Sequence, residues 1–185
     1  MKLKKYLNWK YLKQLNSSKF INSMYIYIFL VPIFIKIIEL VNSKINIQLN
    51  LPFSLIFFYF SALFFALGNI LLNIKCPLII KENNSFGDFL TSGKKLFQLK
   101  PYIEDINIDL DFNFDDEAFS ILIENKDDSI DEHRKLQNYF WEIYNKANIK
   151  YQNYIKLIFI FYSLGFILFL IVLLENLIFI IGSFI

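Results

Sequence analysis

The sequence predicts an all-α integral membrane protein with three transmembrane helices and a small cytosolic helical module between the second and third. Three observations predict it. Apolar residues make up 56% of the chain, with 22 Phe among 185 residues, an excess over soluble domains that calls for a non-aqueous solvent. Those residues are bunched into three blocks rather than spread at core spacing. Apart from Lys36 and Glu39 in the first block and Glu175 at the end of the third, the charged residues fall outside the blocks, and the positive ones flank them.

Residues 1–19 form a basic segment holding Lys2, Lys4, Lys5, Lys10, Lys13 and Lys19 and no acid. The first span is expected over residues 20–41, long enough to cross ~30 Å of hydrocarbon. A cleaved signal peptide is the competing reading of this block, disfavoured by the long segment before it and the lack of a small-x-small site after it. The second span, residues 51–73, opens with Pro52, a residue suited to the first turn of a helix, where an amide is free anyway. The third is expected over residues 154–176, with its apolar part at 157–174. Residues 177–185 are then too short for a return crossing and are expected to lie as an apolar tail at the interface.

Residues 74–153 form the only extended polar region. Its charge comes in blocks: five basic and two acidic residues over 75–100, one basic and twelve acidic over 103–133, five basic and one acidic over 134–156. The basic blocks adjoin the spans, so they can sit against anionic headgroups, while the acidic middle is repelled from the same surface. Positive charge in these flanks and in residues 1–19 places the N-terminus and the module in the cytosol, and three spans then put the C-terminus outside.

Within the module, Ser129 and Glu132 have the spacing of a capping box and predict a helix start just before Ile130. From there Leu136, Phe140, Ile143, Tyr144, Ala147, Tyr151, Tyr154 and Ile155 recur at helical steps without Gly or Pro. One uninterrupted helix over residues 130–174 is therefore expected. Shorter helices are expected at 85–99, weakened by Gly87 and Gly93 and ended near Pro101, and at 116–124 after Asp115. Residues 106–114 alternate at strand period, but a lone strand has nothing to pair with.

Candidate chemistry is sparse. Asp109, Asp111 and Asn113 have the first spacings of a calcium loop, yet Phe114 stands where the turn needs glycine and Ser120 where a glutamate should close the site. His133 is the only histidine, which leaves no imidazole pair for zinc and no nucleophile-base pair. Cys76, the only cysteine, excludes an internal disulfide. It sits where the second span leaves the membrane, a place where acylation occurs, and is otherwise an inert buried thiol.

No enzyme chemistry, cofactor or metal is expected, and a net charge of +2 gives no reason to expect nucleic acid. The charged residues in or bordering the apolar blocks, Lys36, Glu39 and Glu175, are the expected intramembrane site, with Lys36 pairing with Glu39, Glu175 or both; separate exits to the headgroups are the alternative. Ser54, Ser61, Ala62, Ala66 and Gly68 give the second span a narrow small-residue face for packing against the other spans or for self-association. The expected role is that of a non-enzymatic protein of the inner (plasma) membrane whose partners are the bilayer and either further copies of itself or another membrane protein. It is read as a bacterial membrane-perturbing effector of anti-phage or toxin type, the alternative being an accessory subunit of a larger transporter or enzyme complex.

Overall fold

The computed structural model describes residues 7–45, 53–107 and 130–182. Every regular element among them is a helix: α1 (Trp9–Asn16), α2 (Lys19–Ile45), α3 (Phe53–Lys75), α4 (Leu78–Glu82), α5 (Phe86–Thr91), a 3-10 helix (Leu96–Leu99), α6 (Lys100–Ile106), α7 (Ile130–Asn148) and α8 (Gln152–Gly182). The chain divides into two compact units, one of Met1–Tyr11 with Lys75–Gln152 and one of Leu12–Ile74 with Asn153–Ile185.

Helices α2, α3 and α8 are long and apolar enough to cross a membrane. They hold 27, 23 and 31 residues, or about 40, 34 and 46 Å at the helical rise. Their large side chains are exposed in numbers that water would not tolerate, among them Phe29, Ile33, Ile37 and Leu40 on α2 and Ile167, Leu170 and Leu174 on α8. Between them they bury Ile21, Met24, Ile158 and Phe65, with an aromatic cluster at their contact. The Phe20 ring meets Phe65, Phe166 and Phe169 with centroids 5.9, 5.6 and 4.8 Å apart, and Phe65 lies edge-on to Phe166 at 5.0 Å, an arrangement favoured beyond its area alone.

The polar unit is organised around α7. Phe140, Ile143, Tyr144 and Ala147 are buried along one face, the three- and four-residue spacing of an amphipathic helix. Against that face lie α4, α5 and α6, which bury Ile79 and Ile80, Phe86 and Phe89, and Tyr102 and Ile106. Burial raises the Tyr144 phenol above its ordinary value. Local signals set the short helices. Ser85 caps α5 by accepting the Asp88 N–H at 3.2 Å. Gly93, at φ +70°, ends that helix, with its N–H on the Leu90 carbonyl and the Lys94 N–H on the Phe89 carbonyl.

Four expectations require correction. The single helix over 130–174 is interrupted: α7 (Ile130–Asn148) ends at Asn148, and α8 starts afresh at Gln152, while Ser129 of the expected capping box lies outside the described residues. Tyr151 between them adopts φ 60°, a left-handed conformation that closes a helix. The tail is not separate as far as it is described, because α8 continues through Glu175 and Asn176 to Gly182. The expected helix at 85–99 is two elements with Gly93 between them. Pro101 opens α6 instead of ending its predecessor, because proline fits the first turn, where no amide partner is lost. Residues 108–129, including the expected helix at 116–124, most of the alternating stretch and the calcium-like triad, lie outside the described residues.

Candidate functional site in the apolar helices

Lys36, Glu39 and Glu175 are all exposed, and among the described residues the ion pairs are Lys94–Glu82 and Lys146–Glu142. The expected pairing of Lys36 with Glu39 or Glu175 is therefore not made. Lys36 and Glu39 are three residues apart on α2, close enough for long side chains to meet, but both extend outward, where a flexible charged chain reaches a polar boundary more readily than a partner.

The small-residue face divides. Ser61 and Ala62 are fully buried, and Ser61 Oγ donates to the Gly165 carbonyl of α8 at 2.8 Å. Gly68 lies flat against the Tyr162 ring, where a β-carbon would collide. Gly165 reciprocates, since a β-carbon there would stand 3.0 Å from Phe65. Helices α3 and α8 thus interlock by exchanging an aromatic ring for a glycine twice, a close approach that only small residues permit. Ser54 and Ala66 are half-buried and take no part in it.

A second constellation has no counterpart in the sequence reading. Asn16, at the end of α1, donates through its amide nitrogen to Asn69 Oδ1 at 2.9 Å. Its oxygen accepts the Tyr162 hydroxyl at 3.0 Å and the Tyr25 hydroxyl at 3.3 Å. Asn73 donates to the same Asn69 oxygen at 2.8 Å. One network so joins α1, α2, α3 and α8, and each member satisfies a polar group that would be costly to leave bare in an apolar setting. The residues are spread from 16 to 162 in the chain. Only their polarity within otherwise apolar blocks could have marked them.

Towards the other end of the same helices lies a groove of about 570 Å³, lined by Tyr27, Val31, Phe34, Phe58 and Val172, with Ser54 and Asn176 as its polar members. That volume suits a single apolar chain or small ligand.

Outside the apolar helices, Cys76 is buried, as the inert-thiol alternative has it. His133 is exposed and edge-on to Phe86 at 5.5 Å. Besides the Lys146–Glu142 pair on α7, the module holds a charged node in which Lys94 Nζ donates to Glu82 at 2.7 Å and to the Tyr102 hydroxyl at 2.7 Å, and the hydroxyl donates to the same carboxylate. The Lys94 and Tyr102 hydrogen bonds hold the Glu82 carboxyl below its ordinary value. Burial alone would depress the Lys94 ammonium, but its bonds to Glu82 and Tyr102 outweigh that and raise it.

No known protein family, curated protein or solved structure matches the chain.

Proposed function

We propose that the chain is a multi-pass protein of the plasma membrane, with α2, α3 and α8 crossing the bilayer and the N-terminus and the α4–α7 module in the cytosol, and that it acts without catalysis through those spans and that module. The observation that supports this most directly is the outward apolar surface of the three helices, which extends beyond Val172 on α8 to Leu177, Ile178 and Phe179, all exposed. Lipid is the solvent that such a surface requires. The orientation rests on the positive flanks. Within this role, a membrane-perturbing effector of bacterial type is the favoured function. The exposed end of α8 supplies apolar surface of the kind through which spans associate.

Induced expression with a potential-sensitive dye tests the effector role: loss of membrane potential with growth arrest is expected, and neither, at confirmed expression, refutes it. Purification in mild detergent should yield a homo-oligomer; stoichiometric recovery with a large partner instead identifies an accessory subunit. For orientation, a reporter active only outside the membrane should be silent when fused at residue 100.

A further inference from the structure

We infer that Lys95, Phe97 and Lys100 form a peripheral contact for an anionic lipid surface, deepening the membrane reading on which it rests. Phe97 is 49% exposed on the 3-10 helix Leu96–Leu99, and Lys95 and Lys100 on either side are exposed as well. A single exposed phenylalanine is unremarkable on its own. Here the ring is presented by a fixed scaffold. Leu99 on the same 3-10 helix is fully buried, the Gln98 carboxamide oxygen accepts the Lys95 N–H, and Lys94 is fastened to Glu82 and Tyr102.

The charge balance points the same way. The two acids of residues 75–100 are already engaged, Glu82 by Lys94 and Asp88 by the Asn84 N–H at 3.0 Å. Lys95 and Lys100 form no ion pair with a described residue. An aromatic ring flanked by exposed lysines matches the headgroup boundary, where the ring enters the acyl edge and the ammonium groups meet phosphate. The segment also follows α3, which ends at Lys75, closely in the chain. A bilayer holding α3 therefore stays within its reach at high effective concentration, so that weak contacts suffice.

The test uses the full chain with Cys76→Ala, reconstituted in vesicles of phosphatidylcholine alone or mixed with phosphatidylglycerol. Spin labels at Phe97→Cys, at Asn138→Cys on the exposed side of α7 and at Ile33→Cys on α2 report accessibility to oxygen and to a nickel chelate. The label at 97 should be lipid-immersed only with phosphatidylglycerol, and the label at 138 aqueous throughout. Lys95→Gln and Lys100→Gln should each lower the immersed-to-aqueous ratio about fivefold, and high salt should act alike. Aqueous accessibility at 97 with phosphatidylglycerol, or equal immersion in phosphatidylcholine alone, overturns the inference. So does immersion that disappears at one chain per vesicle, since that marks a contact between copies. An aqueous label at Ile33 refutes the membrane reading itself, whereas a lipid-immersed Ile33 with an aqueous residue 97 refutes only the lipid contact.

Discussion

At Gly68 the Tyr162 ring occupies the place of a β-carbon, so the residue is fixed by its neighbour and not by its own conformation. Gly68→Ala should destabilise the protein by about 1–3 kcal/mol, the range for overpacking a filled interface, seen as a lower thermal midpoint in detergent. Tyr162→Phe keeps the ring but removes the hydroxyl on Asn16, so its loss should be smaller, about 0.5–1.5 kcal/mol; equal losses for both would show that the ring contact is not the constraint. Glu82 carries a pH prediction. Its carboxyl is depressed in the folded protein, first by the Lys94 hydrogen bond and then by Tyr102, so its stabilising effect is complete above the ordinary value of 4.5 and is lost as pH falls through the lower folded value. The stability difference between wild type and Glu82→Gln should therefore shrink below that pH, and a difference independent of pH would show the ion pair to be inert. At 46% exposure of the Glu82 side chain the effect is small, as for most solvated pairs. The small residues of α3 were legible in the sequence because their spacing places them on one face. Their partners were not, since nothing local in Tyr162 or Phe65 says which glycine each covers.

Among the elements, the interruption between α7 and α8 separates what periodicity can tell from what tertiary contacts decide. No Gly or Pro lies between Ile130 and the apolar run, and helical spacing continues through Tyr151 and Tyr154. The chain nevertheless turns at Ile149–Tyr151 because residues far upstream hold it there. Trp9, fully buried, donates its indole N–H to the Lys150 carbonyl at 2.7 Å. The Lys10 N–H is taken by the Asn148 side chain at 2.9 Å, and Lys150 Nζ donates to the Asn107 carbonyl at 2.9 Å. Together these offset a left-handed tyrosine, a conformation that costs about 1–2 kcal/mol for a residue with a β-carbon. Trp9→Phe should keep most of the packing while orphaning the Lys150 carbonyl, and the amides of residues 149–152 should exchange hydrogen faster while those around Ile143 do not change. Tyr151→Gly relieves the backbone and should slow exchange at the same amides; unchanged exchange in both variants would mean that the break is intrinsic to the local sequence. Residues 1–19 read only as a basic segment, since charge dominates their composition. The tryptophan that secures the break gives no periodic signal.

For the whole molecule, the three apolar helices were readable to within a few residues at most of their ends, since length and hydropathy are properties of a segment by itself. How charged residues within them are satisfied is a property of the assembly, and there Lys36, Glu39 and Glu175 depart from expectation. A buried pair in hydrocarbon would tie α2 to α8 electrostatically, and removing one member would strand the other at a cost of several kcal/mol. The exposed placement of all three leaves that role to the Asn16 network and the aromatic contacts of Phe20, which join the same helices without charge. Lys36→Leu should therefore cost little folded-state stability in detergent, where Asn16→Leu should cost more by breaking bonds to three partners. In a double-mutant cycle Lys36→Leu and Glu175→Gln should be additive within about 0.5 kcal/mol, as for residues with no shared partner. Rescue of the lysine variant by Glu175→Gln beyond that margin would show that the two charges do meet and that helix docking depends on them.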